Sequence, residues 1–227
     1  EIMLGGQEVS IPANGGEREE GSIVFGAAGD RSRLIAGVSW NSREIVFARD
    51  FPWYQRGVTS YGNNMESWFL NENNEYDIPF QSLPGGCNQP AGTAYYELET
   101  ASGLINCSFD FASVSADEAS TDNQSFYAKA SYDINDNWLL WTNVSISETE
   151  SFGRYAPVPD WAYAGVDSPN NPTNPNSPYY APELGVDPQA IAIYHRFDAL
   201  GNRDSTVTNR LSNFQMGVTG TIGMAEV

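Results

Sequence analysis

Along 125–147, SFYAKASYDINDNWLLWTNVSIS, apolar and polar positions alternate. Phe126, Ala128, Ala130, Tyr132 and Ile134 are separated by Ser125, Lys129, Ser131 and Asp133, and after Asn135-Asp136-Asn137 the pattern resumes with Trp138, Leu140, Thr142, Val144 and Ile146. A period of two with an Asx-rich break predicts an antiparallel hairpin, with Ile134 opposite Trp138, Tyr132 opposite Leu140 and Phe126 opposite Ile146. The same alternation predicts strands over 21–28 (Ile23, Phe25 and Ala27 on one face), 34–43 (Leu34, Ala36, Val38 and Trp40) and about 206–223 (Phe214, Met216, Val218 and Ile222). A weaker strand is expected over 2–11.

The connections differ sharply in length. Positions 29–33 and 135–137 read as short turns, whereas about 51–122 and 151–204 show no sustained strand or helix period and no sequence repeat. A compact domain rarely carries two structureless connections of that length. Short and long connections alternate, so all short turns fall at one end of the sheet. Small Ala128 and Ala130 lie mid-strand, with Phe126, Tyr132 and Trp138 nearer the ends. These features predict an all-β fold: an antiparallel up-and-down transmembrane β-barrel segment, about five to six strands of a larger barrel, with two long extracellular loops. A β-sandwich accounts for the alternation equally well; the loop asymmetry favours the barrel. Five or six strands leave two unpaired edges, so the chain is read as part of a larger wall.

Composition narrows the function classes. Lys+Arg number 11 against Asp+Glu 29, a net charge of −18 that repels phosphate backbones and argues against nucleic-acid binding. No run reaches the roughly 18–20 apolar residues of a membrane helix, and no signal peptide is visible. Cys87 and Cys107 sit among Gly, Pro, Asn and Glu. That exposed-looking setting favours a disulfide over free thiols, worth roughly 3 kcal/mol by loop closure, and points to the periplasm or cell surface.

Three stretches, GSIVFGAAGDRSRLIAGVSWNSREIVFARDFPW (21–53), the hairpin with its continuation SETESFGRYAPVPD (147–160), and IYHRFDALGNRDSTVTNRL (193–211), resemble TonB-dependent outer-membrane receptors. The resemblance implies that residues 1–227 are the front part of such a receptor's barrel domain, with the plug domain absent. It further implies placement in the cell outer membrane, contact with outer-membrane lipid, and a TonB complex acting through the missing plug. The implied function is energised import of a nutrient bound at the outer loops, the ligand being a small molecule, oligosaccharide or peptide. The alternative from another class is a secreted β-sandwich carbohydrate-binding module.

Candidate chemistry is sparse. The first long connection combines the acidic Glu66, Glu72, Glu75, Asp77, Glu97, Glu99, Asp110, Asp117, Glu118 and Asp122 with aromatics that include Trp53, Tyr54, Tyr61, Trp68, Tyr95 and Tyr96. Aromatic faces stack on sugars and other planar ligands, so these six aromatics are the candidate ligand-binding residues. His195, the one histidine, lies in YHRFDALGNRDS and reads as a loop residue, with Arg196, Asp198, Arg203 and Asp204 as a polar network around it. DINDN (133–137) lacks the glycine and glutamate of a calcium loop and reads as a turn. No nucleophile elbow, phosphate loop or dinucleotide fingerprint occurs, so no enzymatic activity, cofactor or metal is expected.

Overall fold

The computed structural model describes residues 2–4, 7–9, 12–87, 93–222 and 225–226. In chain order the strands are β1 (Ile2–Leu4), β2 (Gln7–Val9), β3 (Arg18–Ala28), β4 (Ser32–Arg43), β5 (Val46–Phe47), β6 (Asn63–Ser67), β7 (Gln81–Ser82) and β8 (Tyr95–Glu99). They continue with β9 (Ile105–Phe109), β10 (Ala116–Glu118), β11 (Ser120–Asn135), β12 (Trp138–Tyr155), β13 (Pro159–Ala164), β14 (Ile191–Arg196), β15 (Arg203–Ile222) and β16 (Ala225–Glu226). The chain forms two compact units: Glu1–Val46 with Asp117–Gly153 and Asp204–Val227, and Phe47–Ala116 with Arg154–Arg203. The weak strand expected over 2–11 is a short β1–β2 hairpin, positions 5–6 and 10–11 lying outside the described residues.

The first unit is an antiparallel sheet in the order β16–β15–β12–β11–β4–β3. The alternation fixes its register: Ile23, Val38, Phe126 and Ile146 form one row across four strands, and Phe25, Ala36, Ala128 and Val144 the next. Tyr132 faces Leu140 as expected, but the register shifts between Asp133 and Asn135, so Asn135 rather than Ile134 opposes Trp138. The turn itself is closed by the Asn137 amide donating to Asn135 Oδ1 at 2.9 Å. Three strand glycines each lie under a tryptophan of a neighbouring strand: Gly21 under Trp40, Gly217 under Trp141 and Gly220 under Trp138. A Cβ there would come too close to the indole, so the ring would have to shift to admit any other residue.

The expected barrel is not formed. Among the described residues the sheet is open, with β3 on one edge and β16 on the other. The sheets are antiparallel, but none closes on itself, and the two supposed extracellular loops are not loops. They fold with each other into the second unit, which has its own strands and core. The length asymmetry that separated barrel from sandwich therefore arises from one folded unit interrupting the sheet twice. Period-two alternation alone reports only that the two faces of a sheet differ. The transmembrane strands, the outer-membrane location, and lipid and TonB as partners all depended on a barrel wall, and they are withdrawn with it. The row Ile23, Val38, Phe126 and Ile146 is exposed, and the antiparallel sheets fit the β-sandwich alternative better than a barrel wall.

The second unit holds an antiparallel sheet in the order β13–β14–β6–β7 and a separate β8–β9 hairpin. Met65, Ile78, Ala164 and Ile191 form its buried core, with Leu83, Leu184, Val186 and Ile193 packed against them. Complete burial of side chains the size of Met65 and Ile191 stabilises the fold by roughly 1.5–3 kcal/mol each. Cys87 is joined to Cys107, with Cα atoms 5.3 Å apart. Cys107 is fully buried on β9.

The segment SPNNPTNPNSPYY, read as structureless, has a period of three. Backbone amides of Ser168, Asn171, Asn174, Ser177 and Tyr180 each donate to the carbonyl three residues earlier. Pro169, Pro172, Pro175 and Pro178 follow the first residue of successive turns, where their fixed φ is already correct. The side chains of Ser168, Asn171, Asn174 and Ser177 reinforce the same turns by accepting the amide two residues on. Asn171 pins this ladder to the core. It is fully buried, and its Nδ2 donates to the carbonyls of Ala164 (3.3 Å), Gly165 (3.0 Å) and Gln189 (2.7 Å).

Candidate functional site

In the second unit the register of β13, β14 and β6 assigns side chains to two faces. Ala164, Ile191, Ile193 and Met65 turn to the core, so the intervening Trp161, Tyr163, Tyr194 and Glu66 occupy the other face. Trp68, just past β6, brings the aromatics together. Its ring stacks on Trp161 at 5.2 Å and 28°, and meets Tyr163 edge-on at 5.1 Å and 78°. Both partners nevertheless remain open, Trp161 at 47% and Tyr163 at 55% exposure. They stand two residues apart on an edge strand, roughly 7 Å along it. Beside them the Tyr194 hydroxyl donates to Glu66 Oε1 at 2.6 Å. Burial first, and then the Glu66 carboxylate, push the Tyr194 phenol up to about 12. The Tyr194 ring is itself held by edge contacts from Tyr61 and Phe80.

The six aromatics singled out from the sequence are scattered. Trp68 lies at the centre of the platform, and Tyr61 meets the Tyr194 ring edge-on at 5.6 Å. Trp53 is exposed and stacked on Phe51. Tyr54 donates to the buried Asp110, and burial followed by that carboxylate raises its phenol to about 12. Tyr95 packs edge-on against Phe109 and donates to the Arg196 carbonyl at 3.2 Å; its phenol is raised above the ordinary range by burial and then by Asp198. Tyr96 donates to the Gly57 carbonyl at 2.9 Å beneath the Arg56 guanidinium. Tyr54, Tyr95 and Tyr96 thus have their hydroxyls engaged inside the unit. Trp161 and Tyr163 were not singled out. Their signal was the W-A-Y spacing at 161–163, which puts two rings on one strand face.

His195 is not in a loop. It sits on β14, opposite Asp160 of β13 and Asn63 of β6 in one cross-strand row. Its neighbour Arg196 points to the other face, buried over the Phe109 ring at 4.6 Å, with Nη1 donating to the Pro157 carbonyl at 2.8 Å. Burial lowers this guanidinium below its usual pKa. Arg203 donates to the Ala156 carbonyl at 2.7 Å. Among the described residues, no three of His, Cys, Asp and Glu converge on a point that could hold a metal ion.

Comparison of the chain with family models, with curated proteins and with solved structures gives no match. The resemblance to TonB-dependent receptors therefore has no support beyond its texture, and the open sheet removes its structural basis. An importer assignment does not stand.

Proposed function

We propose that the second unit is a carbohydrate-binding module that takes a neutral sugar on the Trp68–Trp161–Tyr163 platform. What supports this reading is that Trp161 and Tyr163 stay about half exposed although each is braced against Trp68. A braced aromatic offers its free face without losing side-chain freedom on binding. Glu66, held by Tyr194, supplies a hydroxyl acceptor beside the rings. The Cys87–Cys107 bridge fits an oxidising, extracytoplasmic setting.

Titration of the full chain with a panel of soluble neutral oligosaccharides, followed by tryptophan fluorescence and calorimetry, tests the reading. Saturable binding that weakens about tenfold in Tyr163→Ala, equivalent to about 1.4 kcal/mol, is the expected result. Absence of binding across the panel, or binding indifferent to both Tyr163→Ala and Trp161→Ala, would count against it.

A further inference from the structure

The core-facing side of the same sheet carries a second, chemically different feature. Where the core ends, the row Asn63–His195–Asp160 opens into a cleft of about 480 Å³, floored by Ile193 and Ala162. Pro172 and Tyr179 of the proline turn ladder wall it, and Phe197 closes one side. That volume suits a small organic ligand. Among the described residues, Asp160 is the only carboxylate in the lining, and no Lys or Arg contributes to it. The Asp160 Oδ1 atom accepts the Trp161 amide at 2.8 Å, and among the described residues Oδ2 has no hydrogen-bond partner. Tyr179 and Phe197, exposed at 64% and 39%, line the same opening, and the Phe197 ring meets His195 edge-on at 5.7 Å.

We infer that this cleft binds a small organic amine: a protonated ammonium group on an apolar or aromatic body. The ammonium pairs with the free Asp160 oxygen and is further attracted by the aromatic faces, while the body lies on Ile193 and Pro172. A metal ion fits less well, since among the described residues His195 and Asp160 are the only strong ligands in the lining. An anion would meet the Asp160 carboxylate and the surplus negative charge of the chain. The cleft lies on the core-facing side of the sheet and shares only Trp161 with the sugar platform among the described residues.

His195 is the only histidine in the chain, so its imidazole resonances report on the cleft without assignment ambiguity. Phenethylamine is expected to shift them saturably, with phenethyl alcohol at least about tenfold weaker. Asp160→Asn, an exposed and fold-neutral change, is expected to erase that preference. Tyr163→Ala, which removes half of the sugar platform, is expected to leave the amine titration unchanged. Unmoved His195 resonances, equal binding of the alcohol, or a preference that survives Asp160→Asn would overturn the inference. Loss of amine binding in Tyr163→Ala would overturn the claim of a separate site, whatever becomes of sugar binding.

Discussion

The side-chain amide of Asn64 pairs with the main chain of Cys107 as a strand would: Nδ2 donates to the carbonyl at 2.7 Å, and Oδ1 accepts the amide at 2.7 Å. A second Nδ2 bond reaches the Ser60 carbonyl at 2.6 Å. Asn64 is fully buried, so no water substitutes for it. Through this amide the central sheet of the second unit grips the β9 strand that carries the disulfide.

Asn64→Ala strands the Cys107 amide and carbonyl in a dry setting. It is expected to cost about 2–4 kcal/mol of unfolding free energy. Asn64→Asp should be at least as costly, because a carboxylate cannot donate to the Cys107 and Ser60 carbonyls. Denaturant titration with the disulfide intact measures both. A loss below about 1 kcal/mol would show that the pairing is dispensable.

Asn171 makes the same kind of prediction for the proline turn ladder. Asn171→Ala removes the partner of three carbonyls and of the Thr173 amide and hydroxyl. A loss of about 2–4 kcal/mol is expected, with increased amide exchange confined first to residues 165–180. Uniform exchange across the second unit would contradict a pinning role.

Gly21, Gly217 and Gly220 test the tryptophan cover on the sheet. Alanine at Gly21 or Gly217 must displace the Trp40 or Trp141 indole and should destabilise the first unit by about 1–3 kcal/mol. Gly153 is the control, since a Cβ there meets only an ordinary contact with Ala119. Gly153→Ala should be neutral or mildly stabilising. Equal thermal midpoints for Gly21→Ala and Gly153→Ala would refute the close approach.

Tyr54 and Tyr194 link stability to alkaline pH. Both phenols are raised to about 12 in the folded chain, from 10 unfolded, by burial and by Asp110 or Glu66. A raised pKa means that the folded state favours the protonated phenol. The stabilisation is fully present below pH 10 and is lost as pH rises towards 12. Tyrosinate absorbance should therefore show a late-ionising class in the native chain that shrinks in Tyr54→Phe/Tyr194→Phe, with Tyr95 left as a late-ionising phenol. An ordinary single titration near pH 10 would rule this out.

Part of this architecture was legible from residues alone. The alternation at 125–147 gave the β11–β12 pairing from Phe126 to Tyr132, and the turn at 135–137 broke the register only by its bulge. The four prolines at 169, 172, 175 and 178 recur with a period of three, which belongs to neither helix nor strand and so predicts neither. Their turns are local, each closed within four residues, and need no distant partner.

What one chain segment knows about itself, the sequence determined: strand faces, short turns, an acidic surface and two cysteines. What covers a face, and what meets across the gap between 51–122 and 151–204, only the tertiary structure decided. Trp68 and Trp161, or Asn63, His195 and Asp160, become neighbours because β6 pairs with β14 and β14 with β13. Such pairings depend on burying Met65, Ile78, Ala164 and Ile191 together, an energy shared among segments and carried by no single stretch of sequence.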